Sequence, residues 1–463
     1  MKILLIYPPF QVGKGMGKVM LSPPLSLLTI AGAVRDLNHE IEILDLNIDR
    51  SYSANRLGEK IKNYDLIGIT CMTNTFKVVL NICRIAKKEG VITLLGGFHP
   101  TLAPDIIKKF DCIDMLCRGE GEITFKELLE GKPKNQILGL SYRENGTIIH
   151  NPDRPIMENL NQLPYPENKL IPSSLYHYLW IRAWVIESSR GCPFNCNFCC
   201  VTKFHKGKYR VKSPERVINE LLKIPNNVRL VFFVDDNFSL NKKRVIRICK
   251  LIRKINLNKR FMFACQSRVD DLADSPEMVN AMSKAGFICA FLGIESTKQM
   301  SLNRMNKQYT IDKLKKCIKS CHKHGIIIFG SFIIGNIGEN QIDTWNTFHM
   351  MKELEIDLMM TNPITPFPST PLYDKAIRNH WIAKDFKWEK WDLTPVMKTP
   401  HLTKEEIQDL LDKSYRFFYN DIGYFLFGRR ILRLIFNPRF WWFRRVAFSF
   451  LLNGLTKFLL KLD

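Results

Sequence analysis

Residues 188–199 read SSRGCPFNCNFC and place three cysteines, Cys192, Cys196 and Cys199, within eight residues. The Gly, Pro and Asn residues among them favour a loop, on which three thiols can converge on one metal centre. Four thiolates would complete an iron–sulfur cluster or a structural zinc site. The next residue, Cys200, would point its side chain away from the other three, so three ligands would leave one iron open. The alternatives are a zinc knuckle completed by a distant ligand, and free thiols.

The C-x3-C-x2-C spacing, with the aromatic Phe198 before the last cysteine, resembles the radical S-adenosylmethionine (SAM) superfamily. In that family the open iron chelates the amino and carboxylate groups of SAM. An electron from an external one-electron donor then cleaves SAM to a 5'-deoxyadenosyl radical. The resemblance implies that Cys192, Cys196 and Cys199 hold a [4Fe–4S] cluster and that Phe198 lies at the cofactor.

Length and composition predict a globular protein of two or three domains. The chain has 463 residues, 46% of them hydrophobic, which is too long for one core and too apolar for disorder. The N-terminal sequence MKILLIYPP has no cleavable signal segment, so the 13 cysteines are expected to be reduced in the cytoplasm. A net charge of +23 fits an anionic membrane surface, an acidic substrate or nucleic acid. Nucleic acid is the least favoured partner, since no RNA-binding module is recognised.

Residues 1–150 alternate short apolar runs with helical patterns. This alternation predicts an α/β domain with a doubly wound parallel sheet, Rossmann-like, whose ligand binds at the carboxyl ends of the strands. Neither a G-x-G-x-x-G motif nor a Walker A lysine is present, so a nucleotide is not the favoured ligand. The predicted strands span residues 2–7, 40–46, 65–71, 91–96 and 113–117.

The unusual residues of this domain follow its strands. The Pro-Pro start, the GGFHPT turn at 96–101 and the GEGE segment at 119–122 resemble the cobalamin-binding domain of cobalamin-dependent radical SAM enzymes. The D-x-H-x-x-G signature is absent, so either cobalamin binds without a protein histidine or the domain has lost it. His99 is therefore not proposed as a cobalt ligand, and a turn or cap role is its alternative. The residues that the resemblance places at cobalamin are Pro8, Pro9, Thr73, Gly96, Gly97, His99 and Glu120.

A second alternating pattern follows a linker rich in Pro and Asn at residues 151–180. Six strand–helix units within residues 181–400 fit the partial (β/α)6 barrel of radical SAM enzymes, with active residues at the carboxyl ends of the strands. A C-terminal helical region, residues 401–463, completes the domain prediction. The predicted barrel strands span residues 183–187, 230–235, 261–266, 288–294, 326–334 and 357–364.

Polar residues at these strand ends are the predicted SAM contacts. By resemblance, the Asp235–Asp236 region meets the SAM amino group, although Asp236 could instead cap the following helix. Arg268 suits the SAM carboxylate because a guanidinium binds a carboxylate in bidentate geometry. Residues 365–371 resemble a family motif that usually has Gly where Ser369 stands. The remaining predicted contacts are Gln266, Gly293, Glu295, Ser296, Ile334 and Gly335.

Residues 424–462 crowd Phe, Trp and Leu among arginines and lysines. No stretch is apolar enough to span a bilayer, and an interfacial amphipathic helix pair is predicted, with Trp441 and Trp442 at headgroup depth. This would hold the protein peripherally at the inner face of the membrane. The alternative is a helical subdomain packed on the protein.

The leading functional hypothesis is a cobalamin-dependent radical SAM methyltransferase that acts on an unactivated carbon of a small-molecule or lipid substrate. In the family, one SAM supplies the radical and a second methylates cobalamin. The alternative is a radical cyclase or oxidoreductase without methyl transfer, as in anaerobic porphyrin-ring formation. A tRNA methylthiotransferase is disfavoured because the N-terminal cysteines lack its wide spacing. From another class, the chain could be a non-catalytic membrane-associated cofactor-binding protein.

Overall fold

The computed structural model describes residues 1–9, 20–49, 53–178 and 181–420. The described chain forms two compact units. The first unit comprises Met1–Asp236 and Pro366–Leu393, and the second comprises Asn237–Thr365 and residues 394–420.

Seventeen strands lie in the described ranges. In chain order they are β1 (Lys2–Tyr7), β2 (Met20–Leu21), β3 (Glu40–Asp45), β4 (Leu66–Thr70), β5 (Ile92–Gly96), β6 (Met115–Cys117), β7 (Leu140–Glu144), β8 (Thr147–His150), β9 (His177–Tyr178), β10 (Ile181–Ile186), β11 (Ser189–Arg190), β12 (Arg210–Val211), β13 (Leu230–Phe233), β14 (Met262–Ser267), β15 (Phe287–Glu295), β16 (Ile327–Ile334) and β17 (Leu358–Pro363).

The described helices also number seventeen. They are α1 (Leu25–Ala33), α2 (Ala54–Ile61), α3 (Phe76–Lys88), α4 (Phe98–Leu102), α5 (Ile106–Lys109), α6 (Gly121–Leu129), α7 (Val201–Phe204), α8 (Pro214–Leu222), α9 (Lys242–Lys254), α10 (Leu257–Arg260), α11 (Val269–Ala273), α12 (Pro276–Lys284), α13 (Gln299–Arg304), α14 (Ile311–Lys323), α15 (Gln341–Glu353), α16 (Pro371–Arg378) and α17 (Lys404–Tyr419).

The N-terminal sheet of the first unit has the order β3-β1-β4-β5-β6-β7-β8. Its first five strands are parallel, as predicted. Apolar side chains on both faces of β1 are buried, since Ile3, Leu4 and Ile6 have no exposed surface. A strand buried on both faces reads as a continuous apolar run, and this explains why the sequence revealed it. The carboxyl ends of β1, β4, β5 and β6 therefore lie side by side along one edge.

The prediction missed an antiparallel hairpin, β7 and β8, which extends this sheet beyond β6. Asn145 and Gly146 connect the two strands with φ of 49° and 78°. Positive φ at both central residues is typical of the type I′ turn, for which Asn-Gly is the strongest sequence signal. The dipeptide was therefore a readable hairpin signal, and the sheet is mixed rather than wholly parallel.

The six strands predicted for the second alternating pattern are all present as β10 and β13 to β17. In the first unit β10 pairs with β13 in parallel, and with β9 in antiparallel. In the second unit β14, β15, β16 and β17 form a parallel row in that order. Helix α17 ends this unit's described part, and the tyrosine hydroxyl of Tyr419 donates to the Met359 carbonyl oxygen at 2.8 Å.

The C-terminal region predicted to contact a membrane, residues 424–462, lies outside the described residues. Among the residues that are described, no helix has the length and apolar character needed to cross a bilayer. The predicted linker at 151–180 contains 3-10 turns and the short strand β9. The domain boundaries at 150, 180 and 400 remain a prediction.

Candidate functional site

The cysteine loop, residues 191–209, is closed at its base by a two-stranded ribbon. Strands β11 and β12 pair in antiparallel, with Arg190 directly opposite Arg210. Between them, Gly191 has φ of 83°, and a Cβ there would lie 2.1 Å from the Lys208 carbonyl oxygen. Only glycine fits this close approach of two backbone segments. The ribbon therefore requires the glycine that precedes the first cysteine.

The three predicted cluster ligands lie on this loop. Cys196 is buried, Cys192 and Cys199 are partly exposed, and the Cys199 amide donates to the Cys196 carbonyl at 3.1 Å. Burial raises the pKa of the Cys199 thiol. Iron bound to the sulfur would offset this effect by stabilising the thiolate. No three His, Cys, Asp or Glu side chains in the described ranges are gathered as the shell of one metal ion. A donor set made of thiols suits an iron–sulfur cluster, in which each thiolate binds its own iron.

Two adjacent carboxylates that follow β13 hold the segment leading into this loop. Asp235 is buried and accepts hydrogen bonds from the Ser188 amide at 2.6 Å and from the Ser189 hydroxyl at 2.8 Å. Asp236 accepts from the Gly191 amide at 2.8 Å. Burial raises the pKa of Asp236 to about 6, although the bond from Gly191 opposes that rise. Asp235 is thus occupied by the protein itself, while Asp236 is the more exposed of the two predicted SAM contacts.

A buried ionic group joins the cysteine loop to the segment after β6. Arg210 donates to both oxygens of Glu120, at 2.9 Å each. Arg190 donates to Glu120 at 3.1 Å and to Glu122 at 2.6 Å. We call Glu120, Glu122, Arg190 and Arg210 the ionic clasp. It engages the carboxylate of Glu120, which was predicted to contact cobalamin.

The clasp continues to Asp236 through His205. Arg210 Nη2 lies 2.9 Å from His205 Nδ1. Because arginine can only donate, Nδ1 accepts and the ring proton resides on Nε2, which faces Asp236 Oδ2 at 3.6 Å. Burial lowers the pKa of His205 to about 4, so this imidazole is neutral. A single chain of polar contacts therefore links Glu120 to the carboxylate that holds Gly191.

Further contacts attach the loop, and the segment that begins at Pro366, to other parts of the first unit. The rings of Phe98 and Phe204 stack with centroids 4.3 Å apart. The Leu372 amide donates to the Asn197 carbonyl at 3.0 Å, and the Ser369 hydroxyl donates to the Leu102 carbonyl at 2.8 Å. Ser369 has φ of 64°, which explains why the resembling motif usually has glycine at this position.

The predicted cobalamin residues follow β1, β4, β5 and β6, whose carboxyl ends share one sheet edge. Gly97 has φ of 102°, and a Cβ there would lie 2.9 Å from the Cys71 carbonyl. His99 Nδ1 is 3.1 Å from the Thr73 hydroxyl, and its buried Nε2 has no hydrogen-bond partner. Burial lowers the pKa of His99 to about 3. An unpaired, buried imidazole nitrogen fits a polar ligand at this edge. Pro8 is buried here and Pro9 half-buried.

The other predicted SAM contacts belong to the second unit. Arg268 donates to both Asp270 oxygens, at 2.9 and 3.0 Å, and to the Lys307 carbonyl at 2.6 Å. Glu295, at the end of β15, has φ of 66° and pairs with buried Lys307 at 2.7 Å. A Cβ at Gly293 would lie 2.6 Å from the Glu295 carboxylate. Gly293 is therefore glycine because this ion pair covers it.

The remaining strand ends of this unit are ordered by short polar bonds. The Ser296 hydroxyl donates to Glu339 at 2.7 Å. Ile334 is buried, and Gly335 has φ of 85°, with Ile407 of α17 filling the place of a Cβ. The Gln266 carbonyl accepts from the Phe238 amide at 3.0 Å. The cofactor roles of these residues remain predictions.

Sequence reasoning missed Arg190, Arg210, His205 and Glu122. The bonds of Arg190 and Arg210 to Glu120 and Glu122 join positions 68 to 90 residues apart, which no local pattern reports. One signal was available: two arginines flank the cysteine loop, and two acidic residues flank a glycine at 119–122.

Comparisons with known proteins support both parts of the chain. Residues 186–351 match the Radical SAM superfamily model, and residues 20–129 match the B12 binding domain model. An uncharacterized methyltransferase from Pyrococcus horikoshii is 36% identical over 432 residues, covering 90% of this chain and 92% of that protein. The anaerobic magnesium-protoporphyrin IX monomethyl ester cyclase of Cereibacter sphaeroides is 26% identical over 437 residues, covering 90% of this chain and 70% of the cyclase.

A solved structure agrees in fold. The radical S-adenosylmethionine methyltransferase TsrM from Kitasatospora setae, with cobalamin and a [4Fe-4S] cluster bound, superposes with a TM-score of 0.68. The match covers 88% of this chain and 84% of TsrM at 16% identity. The predicted fold class, a doubly wound sheet followed by a partial (β/α)6 barrel, is confirmed.

Proposed function

Because the chain belongs to the cobalamin-binding radical SAM family, whose cofactors are a [4Fe–4S] cluster, SAM and cobalamin, we propose that it transfers a methyl group from SAM, by way of cobalamin, to an unactivated carbon. The similarity to a protein named as a methyltransferase, over 90% of this chain, favours methyl transfer. The ionic clasp is the observation that carries the proposal. It binds the cysteine loop directly to the segment after β6, at the sheet edge where cobalamin is predicted.

The residues of the loop have distinct proposed roles. When bound, the cofactors supply a 5'-deoxyadenosyl radical and a cobalt-borne methyl group. Cys192, Cys196 and Cys199 would hold the cluster, and Asp236 would bind the SAM amino group. The clasp keeps this loop against the cobalamin-binding edge and fills the space between them with paired charges, which excludes solvent there. An external protein or chemical donor supplies the electron.

The test is an anaerobic reconstitution with SAM labelled in its methyl group and an extract of the source cell. We expect 5'-deoxyadenosine, S-adenosylhomocysteine and a labelled product, each of which depends on Cys192. A non-catalytic cofactor-binding protein would release none of the three. The Cys192→Ala protein is the matched control for background SAM breakdown.

A radical cyclase is the second candidate, and the similarity to the magnesium-protoporphyrin ester cyclase favours it. The same experiment separates the two candidates. A cyclase would form 5'-deoxyadenosine without S-adenosylhomocysteine, and the methyl label would remain in methionine.

A lipid-like substrate is the finer part of the proposal. It rests on the arginine-rich, tryptophan-containing sequence at 424–462, since each basic residue near an anionic surface contributes about 1 kcal/mol. We expect salt-sensitive binding to phosphatidylserine-containing vesicles that is lost when the chain is truncated after Tyr419, while SAM cleavage survives. An intact protein that ignores such vesicles, or a truncated one that unfolds, would indicate that this region is structural.

A further inference from the structure

Glu120 is the carboxylate of the ionic clasp that accepts hydrogen bonds from both arginines. Arg190 and Arg210 are cross-strand partners on the ribbon, and their side chains are only 10% and 3% exposed. Like charges directly opposite each other destabilise a strand pair. Glu120 lies between them and accepts from both. Without it, two buried guanidiniums would face each other at the base of the cysteine loop.

The remaining carboxylates do not replace Glu120. Glu122 and Glu187 both bind Arg190, at 2.6 and 2.8 Å. Arg210 has no other carboxylate within ion-pair distance among the described residues, and its other bonds go to the Met157 carbonyl and to His205. Burial would raise the pKa of Glu120, but hydrogen bonds from Arg210 and the charges of both arginines lower it to about 2. The carboxylate is thus ionised at neutral pH when the ribbon is formed.

The Glu120 carboxylate also orders the linker. Its Oε2 accepts from the Met157 amide at 3.0 Å, and Arg210 donates to the Met157 carbonyl at 2.8 Å. Three segments that are distant in sequence therefore meet at one carboxyl group. All four lone-pair directions of this carboxylate are used by the protein, which leaves none for a ligand.

We propose that Glu120 is a positioning residue for the cysteine loop and does not contact cobalamin, and that Arg190 and Arg210 are its two anchors. The proposal rests on the assignment of the cluster to Cys192, Cys196 and Cys199, but not on which group the enzyme transfers. The cobalamin-binding domain therefore completes the cluster site: the loop is held in shape by a residue that follows strand β6. Loss of this one charge should loosen the loop even before any cofactor is present.

The test compares Glu120→Gln with Glu127→Gln. Glu127 lies on α6, a few residues further along, and pairs with Lys132 and Arg154 instead of the loop. In cofactor-free protein, hydrogen exchange of residues 191–209 should be at least about tenfold faster in E120Q and unchanged in E127Q, because a buried ion pair that loses one partner is strongly destabilised. After reconstitution, E120Q should also lose iron to a chelator about tenfold faster, with corrinoid affinity within about twofold of the wild type.

Two results would overturn the proposal. One is hydrogen exchange of residues 191–209 that is no faster in E120Q than in E127Q. The other is loss of corrinoid binding in E120Q with the loop still protected, which would return Glu120 to the cobalamin site. If E120Q fails to fold, Arg210→Lys serves instead: it keeps the charge but loses the bidentate bond, so exchange should rise only in the loop. If the wild-type protein does not cleave SAM, the proposed function is contradicted, but the exchange measurement on the loop remains valid.

Discussion

The two units hold their site residues by different means. In the first unit, the cysteine loop depends on charged side chains that lie 45 to 90 residues away in the chain. In the second, the strand ends depend on local backbone conformation, with positive φ at Glu295 and Gly335, and on side-chain bonds between residues 12 to 43 apart. Distant ion pairs form only when the whole unit folds, whereas local turns form with their strands. The loop should therefore respond more strongly than the strand ends to changes elsewhere in its own unit.

The largest expected effect is at the loop itself. Changing Cys192, Cys196 or Cys199 to Ala should abolish cluster absorption and SAM cleavage, because no other described cysteine shares a suitable loop spacing. Iron content, visible absorption and 5'-deoxyadenosine yield measure this. Cys200→Ala is the control and should retain all three. A full cluster in the triple variant would contradict the assignment and remove the basis of the comparison.

The next effect concerns the second unit alone. Lys307→Met leaves the buried Glu295 carboxylate without its cation, and we expect a loss of about 3 to 5 kcal/mol. Calorimetry should show the lower stability, and hydrogen exchange should rise in β15 but not in residues 191–209. The double variant Glu295→Gln/Lys307→Met removes both charges and should recover most of the loss. Increased exchange of the cysteine loop in Lys307→Met would break the proposed independence.

Part of the folding stability of the first unit should be lost in acid. The pKa of Glu120 falls from 4.5 to about 2 on folding, because Arg210 and Arg190 outweigh the effect of burial. A lowered carboxyl pKa stabilises the fold above pH 4.5, and that contribution is lost as the pH falls toward 2. It amounts to about 3 kcal/mol in full, of which about 2 is lost by pH 3.

Glu120→Gln isolates this contribution, since other carboxylates titrate equally in both proteins. Thermal midpoints of the cofactor-free proteins from pH 6 to pH 3 should converge as the pH falls. Parallel curves would show that Glu120 is not the ionised centre of the clasp.

Sequence patterns predicted the strands well because both units build parallel rows from continuous apolar runs. The cluster loop was equally legible, since its three thiols lie within eight residues of chain. The clasp could not be predicted, because Arg190 and Glu120 come into contact only when the β11–β12 ribbon packs against the segment after β6. For the same reason the resemblance of the GEGE segment predicted Glu120 as a cobalamin contact but did not predict its protein partners. The β7–β8 hairpin was readable from Asn145-Gly146 and was overlooked.

The smallest expected effect tests a neutral link in the first unit. Ser369 has a left-handed backbone, which costs a residue with a Cβ about 1 kcal/mol, and its hydroxyl bond to the Leu102 carbonyl returns about the same amount. Ser369→Gly removes both terms, so its stability should lie within about 1 kcal/mol of the wild type. Ser369→Ala keeps the strain and loses the bond, and should be less stable by about 1 kcal/mol. The thermal midpoints of the three proteins show whether the backbone strain or the hydroxyl bond has the larger effect on stability. If Ser369→Ala matches the wild type, the neutral bond contributes nothing, and the attachments within this unit are carried by charge and packing.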